Sequence, residues 1–435
     1  MAVAPARTTP ALKRTLTLWQ LTTTGVGIVI GAGIYVLIGE AAQEAGAGLW
    51  IAFILAAVLS ALTGLSYAEL AGMYPSAGAE FEFARRAFND FTGFITGWMM
   101  LTANMIAAAA VSIGFAHYLR YFFDVPVRAG ALGLLIALTL IIASGIQRSI
   151  WFSIALAVLQ VGGLLMVIAV GVPHLGDRSL TEGVTIGGVL GASALVFFAF
   201  IGFDEVVTLS EDTKDPSHAV PRALLYSLGI STLLYVAVGI AAVSVIDVNE
   251  LAASETPLAL VIADAWGGRA SDIVAVIALA STTNTTLLVL TAASRLTYSM
   301  ARSHALPPFL ATIGRRGNAP WVAALAGLCV AAGFAMLGDI GLVASVTDFA
   351  VYAIFIAVNL SLIVLRFRAA DAPRTIRLPW TIARVPVTPV LGTLTVVLMM
   401  VYLDAWAWAL GFGAMVAGVV VWLIRGVFAG DEPIV

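Results

Sequence analysis

The chain has 435 residues, of which 61% are apolar and 11% are charged, and its mean hydropathy is +1.01. Because a soluble protein has about a quarter of its residues charged, this composition excludes a water-soluble fold. The net charge of -3, with no run of basic residues, excludes nucleic acid as a partner, and the single cysteine excludes an internal disulfide.

Twelve apolar segments are long enough to cross a bilayer, since a helix needs about 20 residues to span the hydrocarbon layer. They cover residues 18–39, 47–73, 91–120, 129–146, 149–172, 189–210, 223–246, 272–300, 320–338, 341–365, 386–403 and 405–425. The pattern predicts an all-α polytopic membrane protein with 12 transmembrane helices and the lipid bilayer as its surroundings. We expect the first segment to be retained rather than cleaved, because no small-residue cleavage site follows it.

The basic residues indicate the orientation of these spans. With the N-terminus inside, 18 of the 22 lysines and arginines lie on one side, and the other side holds Arg120, Arg128, Arg178 and Arg269. Lysine and arginine accumulate on the cytoplasmic side of membrane proteins. We therefore expect a plasma-membrane protein with cytoplasmic N- and C-termini.

Two of the spans contain residues that disfavour a continuous helix. The first contains GVGIVIGAGI at 25–34, and each glycine costs about 1 kcal/mol relative to alanine in a helix. The sixth contains FFAFIGFDE at 197–205, where Asp204 and Glu205 lie inside an apolar run. Both acids would be stabilised at the N-terminus of a new half-helix. The sequence predicts that helices 1 and 6 are broken, although close helix packing through small residues also explains the glycines.

The spacing of the two interruptions predicts the domain organisation. They lie in the first and sixth spans, an offset of five, as expected for inverted five-helix repeats whose unwound segments form a substrate site near the membrane midplane. Free amides at the start of a half-helix bind an anion and unwound carbonyls bind a cation, so the site suits an α-amino acid zwitterion. The predicted units are a tail at 1–17, repeats at 18–172 and 173–366, and a final region at 367–435 with a cytoplasmic loop, helices 11 and 12 and a short tail.

Four stretches of the chain resemble the amino acid-polyamine-organocation superfamily, and most closely its cationic-amino-acid-transporter-like permeases. They are GVGIVIGAGIY at 25–35, SYAELAGMYPSAGAEFEF at 66–83, FFAFIGFDEVVTLSEDTKDP at 197–216 and SRLTYSMARSHALPP at 294–308. The resemblance implies a leucine-transporter-like 5+5 inverted repeat with two peripheral helices. It also implies symport or another form of amino acid transport by alternating access.

The resemblance also implies a substrate site. The carboxylate-binding turn falls on Gly31, Ala32 and Gly33, and the ammonium-binding carbonyls fall on Val29, Phe198 and Ile201. Phe198 also matches the aromatic gate that closes over bound substrate. Ordinary packing of an aromatic side chain in the core is the alternative for Phe198.

One departure from the family concerns the substrate. Members that carry cationic substrates have an acid in span 3 at the position of Ala103. Without that carboxylate, a cationic side chain would leave an uncompensated buried charge, so we expect neutral amino acids. The neighbouring Asn104 could bind a polar substrate side chain or hydrogen-bond between helices. Cationic amino acids or polyamines are the alternative substrates.

A second departure concerns the coupling ion. Proton-coupled relatives place a lysine where this chain has Gln160, which cannot carry a proton. Thr282 and Thr283 belong to a hydroxyl cluster in span 8 and could form a sodium site with carbonyls of span 1. Hydroxyls that bond to their own helix are the alternative. Glu69, at the end of span 2, could be a proton site, or it could pair with an arginine.

Other polar groups have simpler interpretations. Asp348 and Asp404 lie near predicted helix ends, so we expect both to be exposed. Glu80 belongs to a mixed-charge stretch that predicts a solvated turn.

The competing functions are an enzyme, a channel and a transporter-derived amino acid sensor. No HExxH or paired-acid motif indicates an enzyme, and no repeated filter indicates a channel. We expect no organic cofactor and a monomer or homodimer.

Overall fold

The computed structural model describes residues 16–75, 78–145, 150–314, 319–378, 380–382 and 384–425. Within these ranges the chain forms the helices α1 (Leu18–Val29), α2 (Gly33–Ala45), α3 (Leu49–Met73), α4 (Ala79–Ala87), α5 (Asp90–Phe122), α6 (Val127–Ala143), α7 (Ile150–Gly171), α8 (Ile186–Val196), α9 (Glu205–Thr208), α10 (Pro216–Val245), α11 (Val248–Ala253), α12 (Pro257–Trp266), α13 (Gly268–Arg302), α14 (Trp321–Ala335), α15 (Ile340–Arg368), α16 (Val387–Val401) and α17 (Ala405–Ile424). Two short antiparallel strands, β1 (Thr381–Ile382) and β2 (Val385–Pro386), form a hairpin before α16.

Apolar helices dominate the fold, as predicted for a polytopic membrane protein. Eight helical segments of the described chain have the length and composition to cross a membrane: Gly33–Met73, Asp90–Phe122, Ile154–His174, Ile186–Val207, Pro216–Val245, Gly268–Arg302, Ile340–Arg368 and Ala405–Ile424. Four shorter apolar helices accompany them: Val127–Ala143, Pro257–Trp266, Trp321–Ala335 and Val387–Val401. Every predicted span overlaps a helix, but the total of 12 crossings stays a prediction.

The apolar outer surface is consistent with a lipid environment. Large side chains such as Leu140, Leu233 and Leu394 are exposed on helices that a soluble protein would cover with polar residues. Inside, the long helix α5 packs against α13 and α15. The small residues 107–110 of α5 are buried alanines, which allow neighbouring helices to approach closely.

Polar contacts hold the loops at the two ends of the helical bundle. At one end, which we call the Glu182 end, Ala47 N–H donates to the Glu182 carbonyl at 3.0 Å, and Arg178 lies 3.4 Å from Asp247. At the opposite end, the Glu69 end, Leu16 N–H donates to the Asp212 carbonyl at 3.0 Å. The rest of the predicted tail, residues 1–15, and the last ten residues lie outside the described residues. So do six of the basic residues counted above: Arg7, Lys13, Arg14, Arg148, Arg315 and Arg316.

Two sequence expectations are wrong. Asp348 is 0% exposed, because α15 begins at Ile340 and Asp348 lies more than two turns inside it, on a face packed in the core. Glu80 is only 4% exposed, because its stretch folds as the amphipathic helix α4 and packs against α5 and α15. Asp404 is exposed, and its side chain accepts the Trp406 amide at the start of α17.

Candidate functional site

The first interruption separates α1 from α2. Helix α1 ends at Val29, and α2 begins at Gly33. A Cβ atom at Gly31 would lie 2.7 Å from Thr285 Oγ1 and 3.1 Å from the Ile28 carbonyl oxygen, so a larger residue here would displace the Thr285 side chain. Ala32 N–H donates to Thr285 Oγ1 at 3.2 Å, which shows that an amide of the turn is available to an oxygen acceptor outside the helix.

The second interruption follows α8. The chain continues as a 3-10 helix over Phe197–Phe200, Ile201 is extended, and Gly202 has φ +112°, a conformation that strains any other residue. Gly202 N–H donates to Asp204 Oδ1 at 3.1 Å, and α9 then begins at Glu205. The buried Asp204 carboxylate therefore accepts an amide that the interrupted helix leaves free.

The two interruptions are in direct contact. A Cβ atom at Gly33 would lie 2.5 Å from Ala199 Cα, and one at Gly202 would lie 2.8 Å from Ile28 Cγ2. Their backbones therefore approach as closely as glycine allows.

A tyrosine that the sequence reasoning missed joins the two segments. The Tyr235 hydroxyl, on α10, lies 2.6 Å from the Val29 carbonyl oxygen and 2.8 Å from the Ala199 carbonyl oxygen, and its single hydrogen is shared between these two acceptors. The side chain is fully buried. A tyrosine inside an apolar helix was the only signal, and it does not reveal which carbonyls the hydroxyl meets.

Two of the three predicted carbonyl acceptors, Val29 and Phe198, already have donors. Val29 accepts from Tyr235, and the Phe198 carbonyl accepts the Ile201 amide at 3.2 Å. Since a carbonyl oxygen has two lone pairs, each can accept one further donor. Phe198 is 7% exposed, and Ile201 is partly exposed beside it.

Gln160 binds the free carbonyls at the end of α1. Its Nε2 donates to the Gly27 and Ile30 carbonyls at 3.1 and 3.2 Å, and its Oε1 accepts from Ser281 Oγ at 3.0 Å. A neutral amide therefore connects the first interruption to α13. The sequence singled out Gln160 as a residue that cannot carry a proton, but gave no sign of this connecting role.

Three other predicted residues lie on α13 and α5, and two of them form hydrogen bonds within their own helix. Thr282 Oγ1 donates to the Ala278 carbonyl at 2.8 Å, and Asn104 Nδ2 donates to the Met100 carbonyl at 3.0 Å, so both side chains bond to their own helix. Thr283 is partly exposed on α13.

Glu69 lies in a buried ion cluster at the Glu69 end. Its carboxylate is 2.6 Å from Arg366 Nη2 and 3.0 Å from Arg374 Nε, and it accepts the Leu378 amide at 2.9 Å. Glu69 is 0% exposed. The cluster joins α3, α15 and the loop that follows α15.

Comparisons with known proteins identify the family of this chain. The family model described as amino acid permease matches residues 16–424. The branched-chain amino acid permease BcaP of Bacillus subtilis is 30% identical over 96% of this chain and 92% of its own length. This chain belongs to the amino acid permease family.

Less similar relatives of this chain have other names. A methylthioribose transporter of Bacillus subtilis is 28% identical to this chain over 88% of this chain and 87% of the transporter's own length. A vacuolar cationic amino acid transporter of Arabidopsis thaliana is 27% identical to this chain over 83% of this chain and 64% of the transporter's own length. These relatives confirm the superfamily predicted from the sequence motifs, and the permease is a transporter rather than an enzyme.

The Tyr235 hydroxyl gives a first prediction. Tyr235→Phe removes the donor shared by Val29 and Ala199, and a buried carbonyl without a donor costs about 1–3 kcal/mol. We expect uptake to fall about tenfold or more, since about 1.4 kcal/mol is a factor of ten. Tyr226→Phe is the matched control, because Tyr226 is exposed on the same helix. Equal uptake by both variants in proteoliposomes would contradict the bridging role.

Glu80 gives a prediction about pH. Burial, together with the nearby charge of Asp204, raises the pKa of Glu80 from 4.5 to about 8. Because the folded protein holds this proton more tightly than the unfolded chain, the stabilisation is complete below pH 4.5 and is lost as the pH rises to about 8. We expect the thermal unfolding midpoint in detergent to fall across this window, and to fall less in Glu80→Gln. An identical slope in that variant would show that other groups cause the dependence.

Proposed function

We propose that the permease is a secondary active transporter of neutral L-amino acids that works by alternating access. The observation that carries the proposal is the contact between the two interruptions, where the backbones of Gly33 and Ala199 meet. Amides and carbonyls outside regular helical pairing are concentrated there, inside an apolar protein. Membership of the amino acid permease family supports the same function.

The proposed architecture is a leucine-transporter-like 5+5 inverted repeat with 12 transmembrane helices. In this arrangement α1 and α2 form a broken helix 1, and α8 and α9 form a broken helix 6. The repeats cover residues 18–172 and 173–366, with α16 and α17 peripheral. Support comes from the offset of five spans from one interruption to the other and from the meeting of the two interrupted segments.

The substrate carboxylate is assigned to the amides of Gly31, Ala32 and Gly33. The first amides of a helix lack acceptors within that helix, and its dipole favours an anion. Thr285 Oγ1 is the present acceptor of the Ala32 amide, and a carboxylate oxygen would replace it with a stronger, charge-assisted hydrogen bond.

The substrate ammonium is assigned to the Val29, Phe198 and Ile201 carbonyls, of which the first two each keep one lone pair beyond their present hydrogen bond. Phe198 is the proposed gate, since it lies in the interrupted segment and is nearly buried. Closure of this side chain over the substrate would exclude water from the site.

Neutral side chains are proposed because span 3 supplies no carboxylate at the predicted position. Ala103 is buried in α5, and the adjacent Asn104 amide bonds to its own helix. A cationic side chain near Ala103 would lack a counterion from this part of α5. The relative BcaP is named for branched-chain amino acids, which have neutral side chains.

The Glu69 end is the proposed cytoplasmic side of the plasma membrane, because Arg85, Arg86, Arg366 and Arg374 lie there. A sodium site at Thr282 and Thr283 stays a prediction, because the Thr282 hydroxyl donates within its own helix and keeps its oxygen lone pairs for a cation.

Counterflow in proteoliposomes tests the proposal. Vesicles preloaded with unlabelled leucine should accumulate labelled leucine transiently, and excess lysine or a polyamine should not compete. Labelled lysine exchange without leucine exchange would instead indicate a cationic substrate. Saturable binding without exchange would indicate a sensor and would overturn the transport proposal.

A further inference from the structure

A buried acid in α15 has no role in the site described above. Asp348 is 0% exposed, and neither carboxylate oxygen has a hydrogen-bond partner among the described residues. Burying an ionised carboxylate without partners costs far more than burying the neutral acid. The carboxyl group therefore carries a proton in this conformation.

The surroundings of Asp348 contain no compensating charge. Tyr352, one turn further along α15, is the titratable group that faces it. On α2, Glu40 lies against Gly341, nearly two turns earlier in α15. No cation pairs with the Asp348 carboxyl group from the described parts of the neighbouring helices, which are α3, α4, α5, α8, α16 and α17.

Asp348 shares its helix face with residues that contact the second interruption. Residues four apart lie on the same face of a helix. The Tyr352 hydroxyl donates to the Ala194 carbonyl of α8 at 3.0 Å, and its ring packs 4.7 Å from the Phe197 ring. A movement of α8 away from α15 would therefore change the surroundings of Asp348.

We propose that Asp348 is the proton-binding site that couples transport to a proton gradient. This inference rests on the proposed transport function. Proton binding forms an O–H bond on one carboxylate oxygen, and release breaks that bond and passes the proton to water. The ionised form is populated only in a conformation where α8 and α15 separate and admit water, so proton occupancy and helix position are linked.

Two residues that the sequence links to proton coupling, Glu69 and Gln160, are less suited to carry the proton. Glu69 is paired with two arginines and accepts the Leu378 amide, and Gln160 has no titratable group.

Proton-driven uptake by the full-length permease in proteoliposomes tests the inference. For wild type, an inward gradient of one pH unit should drive up to about tenfold accumulation of the neutral substrate that shows counterflow, and an entrapped pH dye should report proton entry. Asp348→Asn mimics the protonated acid, so it should retain counterflow and lose both responses. The matched control Asp404→Asn changes an exposed helix cap and should behave as wild type.

The outcomes separate the two proposals. Absence of amino acid counterflow in wild type would overturn the transport function itself. Intact counterflow without accumulation or proton entry in wild type would overturn only the role of Asp348, as would wild-type accumulation by Asp348→Asn. If Asp348→Asn does not fold, Asp348→Ser takes its place, because it removes the titratable group without adding volume. Loss of proton-driven accumulation by Asp348→Ser would support the role of Asp348, and wild-type accumulation would overturn it.

Discussion

Gly33→Ala is expected to abolish most amino acid uptake by the permease. The added Cβ atom would lie 2.5 Å from Ala199 Cα and 2.9 Å from Ala199 Cβ, and a backbone atom cannot move aside as a flexible side chain can. Overpacking of this kind costs about 1–3 kcal/mol, or roughly a ten- to hundredfold loss of the conformation in which the two interruptions meet. Initial uptake rates in proteoliposomes measure the effect.

Gly229→Ala is the matched control, because no atom lies within 4 Å of a Cβ at this position in α10. It should transport as wild type and unfold at the same or a slightly higher temperature, since alanine is the better helix former. Both variants should insert normally in the membrane. Wild-type uptake by Gly33→Ala would remove the close approach of the two segments from the mechanism.

Glu69→Gln is expected to cause the largest loss of stability. Glu69 accepts from Arg366, Arg374 and the Leu378 amide, and all of these contacts are buried or nearly so. Removing one partner of a buried ion pair costs about 3–5 kcal/mol, because the remaining charges lose their counterion. The thermal unfolding midpoint in detergent and the yield of folded protein should both fall.

Glu82→Gln provides the comparison at the same end of the molecule. Glu82 also pairs with two arginines, Arg85 and Arg86, but their side chains are 33% and 48% exposed. Exposed ion pairs contribute about 0–1 kcal/mol, so this variant should unfold close to wild type. Equal shifts in the two variants would show that burial of the Glu69 cluster is not the source of its stabilisation.

The sequence marked the stretches where regular helix is disfavoured, because glycine and acidic residues carry strong local preferences. Glycines at 25–33 and the Gly202-Phe203-Asp204 stretch disfavour continuous helix in any surroundings. In the structure α1 ends at Val29 and α8 ends at Val196. The roles of these segments in binding stay predictions.

The sequence carries no signal for environments that a partner from a distant part of the chain decides. Asp348 was expected at the surface from its distance to a helix end, but the face it occupies is set by packing against other helices. Tyr235 was not singled out, although its hydroxyl joins two segments that are 170 residues apart, Val29 and Ala199. Neither environment has a local signature.

By itself the sequence determined that this protein lies in a membrane, because its apolar content and helix-length segments leave no other way to satisfy the backbone. It also indicated which stretches disfavour regular helix, since this depends on each residue's own conformational preference. Only the tertiary structure decided which groups meet: Gly33 with Ala199, Gln160 with the Gly27 and Ile30 carbonyls, and Glu69 with two arginines. Those contacts depend on how separate helices pack, and packing brings together residues whose separation along the chain carries no information about their distance in space.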